Sequence, residues 1–101
     1  DFGMQDPHLD VAMFIIYAMY DRDSAEKLID LYFSDGCDKA TRLKIYCYIA
    51  VSGLVWSNWC EFKRHCGVEF GAYAQRQYDY AREYTKIFFK EYREAFGRDY
   101  V

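Results

Sequence analysis

After Pro7 the chain contains no further proline, and from Asp38 to Gly97 apolar side chains return every three or four residues. That pattern constrains the chain to long helices. A helix interior excludes proline, and a period near 3.6 gathers apolar residues into one stripe. Almost no strand is expected beside them.

The punctuation divides the chain into four helices. Asp6 before Pro7 marks the first start, with the carboxylate as N-cap and the proline at the first helical position. Leu9, Met13, Ile16, Tyr17 and Tyr20 then recur at helical spacing until Asp21-Arg22-Asp23 breaks the pattern. A second helix is expected to start at Asp23, with Glu26 completing a capping box, and to end at Asp35-Gly36. Asp38 caps a third that runs to about His65. Leu43, Cys47, Ala50, Leu54 and Asn58 share one side of it; Ile45, Ile49, Ser52, Trp56, Trp59 and Lys63 share another. Gly53 costs that helix about 1 kcal/mol against alanine, so close approach of another backbone is expected there before contact with a ligand. Gly67 closes the third helix, and Phe70 or Gly71 opens a fourth that reaches about Phe96, with Gly97 behind it. Tyr73, Gln77, Tyr80, Tyr84 and Ile87 line its apolar face, opposite Arg76, Asp79, Arg82, Glu83, Lys86 and Lys90. The short link makes the last two helices an antiparallel hairpin. The expected fold class is all-α, a four-helix array with one long antiparallel hairpin, and residues 1–101 form a single helical domain.

Aromatic residues make up 21% of the chain, with 11 Tyr and 8 Phe, so a small domain must either bury many rings or present them. The second option implies a surface that meets something, including a second copy of the chain. A net charge of −3 argues against a phosphate-neutralising nucleic-acid surface. Charged residues interrupt every apolar run, so no membrane span is expected. The first residues, Asp1-Phe2-Gly3, do not resemble a secretory leader. Cys37, Cys47, Cys60 and Cys66 lack metal-ligand spacing and read as reduced, buried thiols of a cytoplasmic protein. His8 and His65 lie far apart and are expected at the surface, and Glu61, Lys63 and Arg64 read as a solvated face. Asp1-Phe2-Gly3 also spells the magnesium signature of protein kinases, but a working signature follows a buried strand, and none precedes it.

Two ring pairs carry the chemistry. Trp56 and Trp59 sit three residues apart near the end of the third helix, and Phe70 and Tyr73 sit three apart at the start of the fourth. Residues at that spacing share a helix face. In an antiparallel hairpin both pairs fall at the same end, where they either fill a core or hold a cation against their π faces. Taken without further context, a tryptophan pair on a helix reads as core.

Asp6-Pro7-His8-Leu9-Asp10-Val11-Ala12, read beside Ser52-Gly53-Leu54-Val55-Trp56-Ser57-Asn58-Trp59 and the run Gly67-Val68-Glu69-Phe70-Gly71-Ala72-Tyr73-Ala74-Gln75-Arg76-Gln77-Tyr78, resembles the C-terminal part of the choline/ethanolamine kinase family. The resemblance is nearest to bacterial choline kinases and spans Gly3 to about Phe88. Its front motif is shared with aminoglycoside phosphotransferases. It implies the C-terminal helical subdomain of a protein-kinase-like fold, from a parent that transfers the γ-phosphoryl group of ATP to choline. By the same resemblance the metal-binding aspartate, the catalytic loop and the nucleotide-binding lobe would lie upstream of Asp1. This chain alone would then be inactive, carry no catalytic residue and no metal site, and bind choline weakly if at all; ATP and magnesium would belong to the parent. Trp56, Trp59, Phe70 and Tyr73 match the aromatic cage of the quaternary ammonium, and Asp10 matches a residue that supports the catalytic loop. Ring faces suit a trimethylammonium, which has no N–H to offer a carboxylate, and each contributes about 0.5–2 kcal/mol. The alternatives are an ethanolamine or aminoglycoside kinase fragment, or a free-standing helical interaction module that self-associates through its aromatic surface.

Overall fold

The structure is a computed structural model that describes residues 6–33 and 36–97. The Asp1-Phe2-Gly3 motif and Asp35 of the second helix's stop signal lie outside the described residues. Four helices follow in order: α1 Pro7–Tyr17, α2 Arg22–Tyr32, α3 Lys39–His65 and α4 Ala72–Phe96. The all-α array is as the periodicity predicts. α3 and α4 form the antiparallel hairpin, α1 packs across α3, and α2 leans on α1.

Helix starts follow carboxylate caps. The Asp6 side chain accepts from the His8 backbone N–H, and Asp38 accepts from Thr41. The second start differs from the expected one. Asp21, not Asp23, is the cap, accepting from the Ser24 N–H at 2.8 Å. Glu26 therefore completes no capping box. It faces α3 instead, where the Tyr46 hydroxyl donates to it at 2.6 Å and Arg42 pairs with it at 2.6 Å. Glu26 stands three residues after Asp23 and five after Asp21, so spacing alone favours a box at Asp23; the partners across the gap draw the carboxylate away instead.

The core is built where α1, α2 and the first half of α3 meet α4: Ile15, Ile16, Ile29, Ile45 and Ile49 are fully buried, with Tyr46, Tyr80 and Tyr84 closing it. Gly53 is buried at the α3–α4 crossing. A Cβ on it would lie 2.7 Å from the Gln77 carbonyl oxygen and 3.0 Å from the Tyr80 Cβ. The glycine thus serves close helix packing, which is the expected reading.

α4 also fixes the end of α1. Met19 takes a left-handed backbone (φ 56°) and the Tyr20 N–H returns to the Ile15 carbonyl, a helix-terminating arrangement. The Tyr80 hydroxyl donates to the Ile15 and Tyr20 carbonyls, and Gln77 Nε2 donates to Ile16 at 3.0 Å. Arg76, expected on the charged face, instead donates to the Tyr20 carbonyl and stacks its guanidinium 4.1 Å from the Tyr80 ring centroid. Carbonyls that a helix end leaves orphaned are satisfied by side chains of another helix.

Three smaller expectations are corrected. All four cysteines are free thiols, but Cys47 and Cys66 are exposed, not buried. His8 is half-buried, stacked on Phe33 with ring centroids 5.2 Å apart. Lys63 is half-buried, away from a purely solvated face. No helix among the described residues is long and apolar enough to cross a membrane.

Candidate functional site

The turn between α3 and α4 sets the site. The Val68 N–H folds back to the Lys63 carbonyl, and Gly67 is left-handed at φ 94°. Gly71 precedes α4 at φ 59°, ψ −132°, a backbone conformation natural to glycine. Phe70 is thereby held just ahead of α4, with its carbonyl accepting from the Tyr73 N–H at 3.2 Å.

This geometry joins all four rings that the spacing singled out. Trp56 and Trp59 meet edge to face at 5.5 Å between centroids. Trp59 meets Phe70 at 5.4 Å, and Phe70 meets Tyr73 at 6.5 Å. Two rings from the end of one helix and two from the start of the next make one unbroken chain of contacts. The rings are not sealed into the core. Trp56, Phe70 and Tyr73 are half-buried, and Trp59 keeps 43% of its surface exposed.

Two further side chains join the cluster. Tyr17, at the last position of α1, lies 5.8 Å from Trp56 and is more than half exposed. Lys63 Nζ lies 5.8 Å from the Trp59 centroid, so one indole face already carries an ammonium. Sequence spacing gives no signal for Tyr17, because its approach depends on how α1 crosses α3. Lys63 stands four residues after Trp59, a same-face spacing that does point to the contact. Burial, together with the neighbouring Tyr17 and Cys60, pushes the Tyr73 hydroxyl above the ordinary phenol range, so it stays neutral at physiological pH. Apart from the Trp59 face that Lys63 occupies, the neutral, polarisable, partly wet rings suit a large soft cation better than a small hard one.

Asp10 stands apart from this cluster. It is exposed on α1, two turns or about 10 Å along the helix from Tyr17. It borders a hollow lined by Val11, Phe14, Leu28 and Tyr32. Among the described residues, no three His, Cys, Asp or Glu side chains converge in a set able to hold a metal ion. No protein-family model matches the chain, and no curated protein or solved structure matches it.

Proposed function

We propose that this chain is the C-terminal, substrate-side helical subdomain of a choline kinase-like phosphotransferase, equivalent to that part of a protein-kinase-like fold. The observation that carries the reading is the unbroken contact chain Trp56–Trp59–Phe70–Tyr73 at the hairpin turn. In this reading the rings form one wall of a pocket for a quaternary ammonium. Trp56, Trp59 and Tyr73 offer ring faces, and Phe70 closes the gap between the helices. Tyr17 adds a wall from α1.

The aromatic character of the cluster favours choline over the other amines. A trimethylammonium is held by dispersion and by the ring quadrupoles, whereas the several N–H-bearing ammonium groups of an aminoglycoside call for carboxylates. Ethanolamine would gain less from the same rings, because its ammonium retains three N–H donors. ATP and magnesium belong, in this reading, to the upstream part of the parent protein. The subdomain contributes binding and orientation of the amine.

The test is made in the parent protein. Trp56→Ala and Tyr73→Ala should each raise the KM for choline about tenfold, the equivalent of about 1.4 kcal/mol, with the KM for ATP little changed. An unchanged choline KM in both variants rules out the cage. The reading also requires an Asp-Trp-Glu run directly upstream of Asp1 and an H-x-D motif further back.

A further inference from the structure

We infer that Gln77 is the residue by which the ring cluster tells a cation from a neutral molecule of the same shape, its side-chain oxygen turning the negative end of a dipole toward the rings. The inference rests on the amine-cage reading and adds to it a recognition element that is not aromatic.

Gln77 is buried, with 0% of its surface exposed, and its amide is only half satisfied. Nε2 donates to the Ile16 carbonyl at 3.0 Å, while Oε1 accepts from no group among the described residues. Buried polar atoms are nearly always paired, so an orphan acceptor calls for a reason. An acceptor without a donor also keeps a field that no N–H offsets and that little water damps.

Position places that oxygen beneath the cluster. Along α4, Gln77 follows Tyr73 by four residues and shares its face. Across the hairpin stands Gly53, where a Cβ would lie 2.7 Å from the Gln77 backbone oxygen. Trp56 follows Gly53 by three residues, toward the hairpin turn. Ile16, which takes Nε2, is followed by Tyr17, whose ring lies 5.8 Å from Trp56. Three helices thus set Gln77 about one turn from members of the cluster. The other side is closed to the oxygen by charge. The end of α1 presents the carbonyl oxygens of Ile15, Ile16 and Tyr20, to which the Tyr80 hydroxyl and Nε2 donate. An oxygen turned the same way would face them with like charge. With Nε2 held on Ile16, Oε1 turns from that carbonyl end, toward the rings.

A carbonyl dipole and the ring quadrupoles act in the same sense on a trimethylammonium. Its charge is spread over methyl groups, so it gains from the oxygen without an N–H, by charge–dipole attraction and C–H···O contact. A neutral tert-butyl group fills the same rings and gains nothing from the dipole.

The experiment follows the Gln77 side-chain NH2 resonances of the whole chain by NMR, as choline or its uncharged isostere 3,3-dimethylbutanol is added. Choline should move them in step with the Trp56 and Trp59 indole signals, and the isostere should move them far less. Gln77→Met, similar in length but without the amide, should weaken choline about fivefold and change the isostere's affinity by less than about twofold. Methionine also removes the bond to Ile16, so a merely structural role would weaken both ligands alike. The NH2 signals need no variant, and they decide the question if Gln77→Met does not fold.

Choline that moves the indole signals but not those of Gln77 overturns the proposal and leaves the cage standing. So does a Gln77→Met variant that binds choline as before, or that loses both ligands equally. Silence of the indole and Gln77 signals up to about 0.5 M choline overturns the proposal for this chain, while the cage stands or falls by the KM values of the parent.

Discussion

Gly53 shows how one missing methyl group sets a helix crossing. Alanine would favour α3 by about 1 kcal/mol through helix propensity. Its Cβ, however, would meet the Gln77 carbonyl oxygen at 2.7 Å and the Ala81 nitrogen at 3.1 Å, both backbone atoms that no rotamer change can move. The clash should win. Gly53→Ala is expected to destabilise the fold by about 1–3 kcal/mol net, read as a lower denaturant midpoint at unchanged slope. A midpoint that rises would mean the hairpin can open at no cost. The sequence pointed to this position, because a glycine inside a strongly periodic helix calls for a reason. It could not name Gln77 and Ala81 as the neighbours, since those depend on the register between two helices. Arg76 was misplaced for a related reason. Its spacing puts it next to the charged face of α4, yet the carbonyl end of α1 draws its guanidinium inward.

At the scale of elements, the caps and the charged contacts between helices predict how stability follows pH. The Asp6 carboxyl accepts hydrogen bonds from the Tyr48 hydroxyl and the His8 N–H and lies beside Lys44, which together hold its pKa down at about 2. For Glu26, burial acts to raise the pKa, but hydrogen bonds from Tyr46, Arg42 and Arg22 outweigh it and hold the group below the ordinary glutamate value. Both groups are more acidic folded than unfolded. Their contribution is therefore present above the unfolded values of 3.8 and 4.5 and is lost as pH falls through that range toward the folded values. The thermal midpoint should be level near neutral pH and fall below about pH 4.5. Glu26→Gln should lower the neutral midpoint and flatten the acid slope; an acid slope identical to that of the original chain would show that Glu26 carries none of it. Helix existence and the Asp6 and Asp38 caps were legible in the sequence. The start of α2 was not, because Asp21 and Asp23 are both sound caps, and the choice is made by Arg42 and Tyr46, which draw Glu26 across to α3.

Across the whole molecule, the hairpin has two unlike ends. The turn end gathers rings from α1, α3 and α4; the far end packs Tyr46 of α3 against Tyr84 of α4. The four-ring cluster was legible because two pairs at same-face spacing flank one turn, and an antiparallel hairpin has only one way to bring such pairs together. Tyr17 was hidden, since α1 reaches Trp56 through a crossing that α4 enforces from the other side by capping α1 with Tyr80 and Gln77.

The most direct test of the ring cluster as a cation site follows the two indole N–H resonances of the chain by NMR while choline is added, with 3,3-dimethylbutanol, its uncharged isostere, as the comparison. Choline should shift the Trp56 and Trp59 signals with a dissociation constant of about millimolar or weaker, and the neutral isostere should shift them far less. Equal shifts from both compounds, or larger ones from the isostere, would contradict a site that selects positive charge.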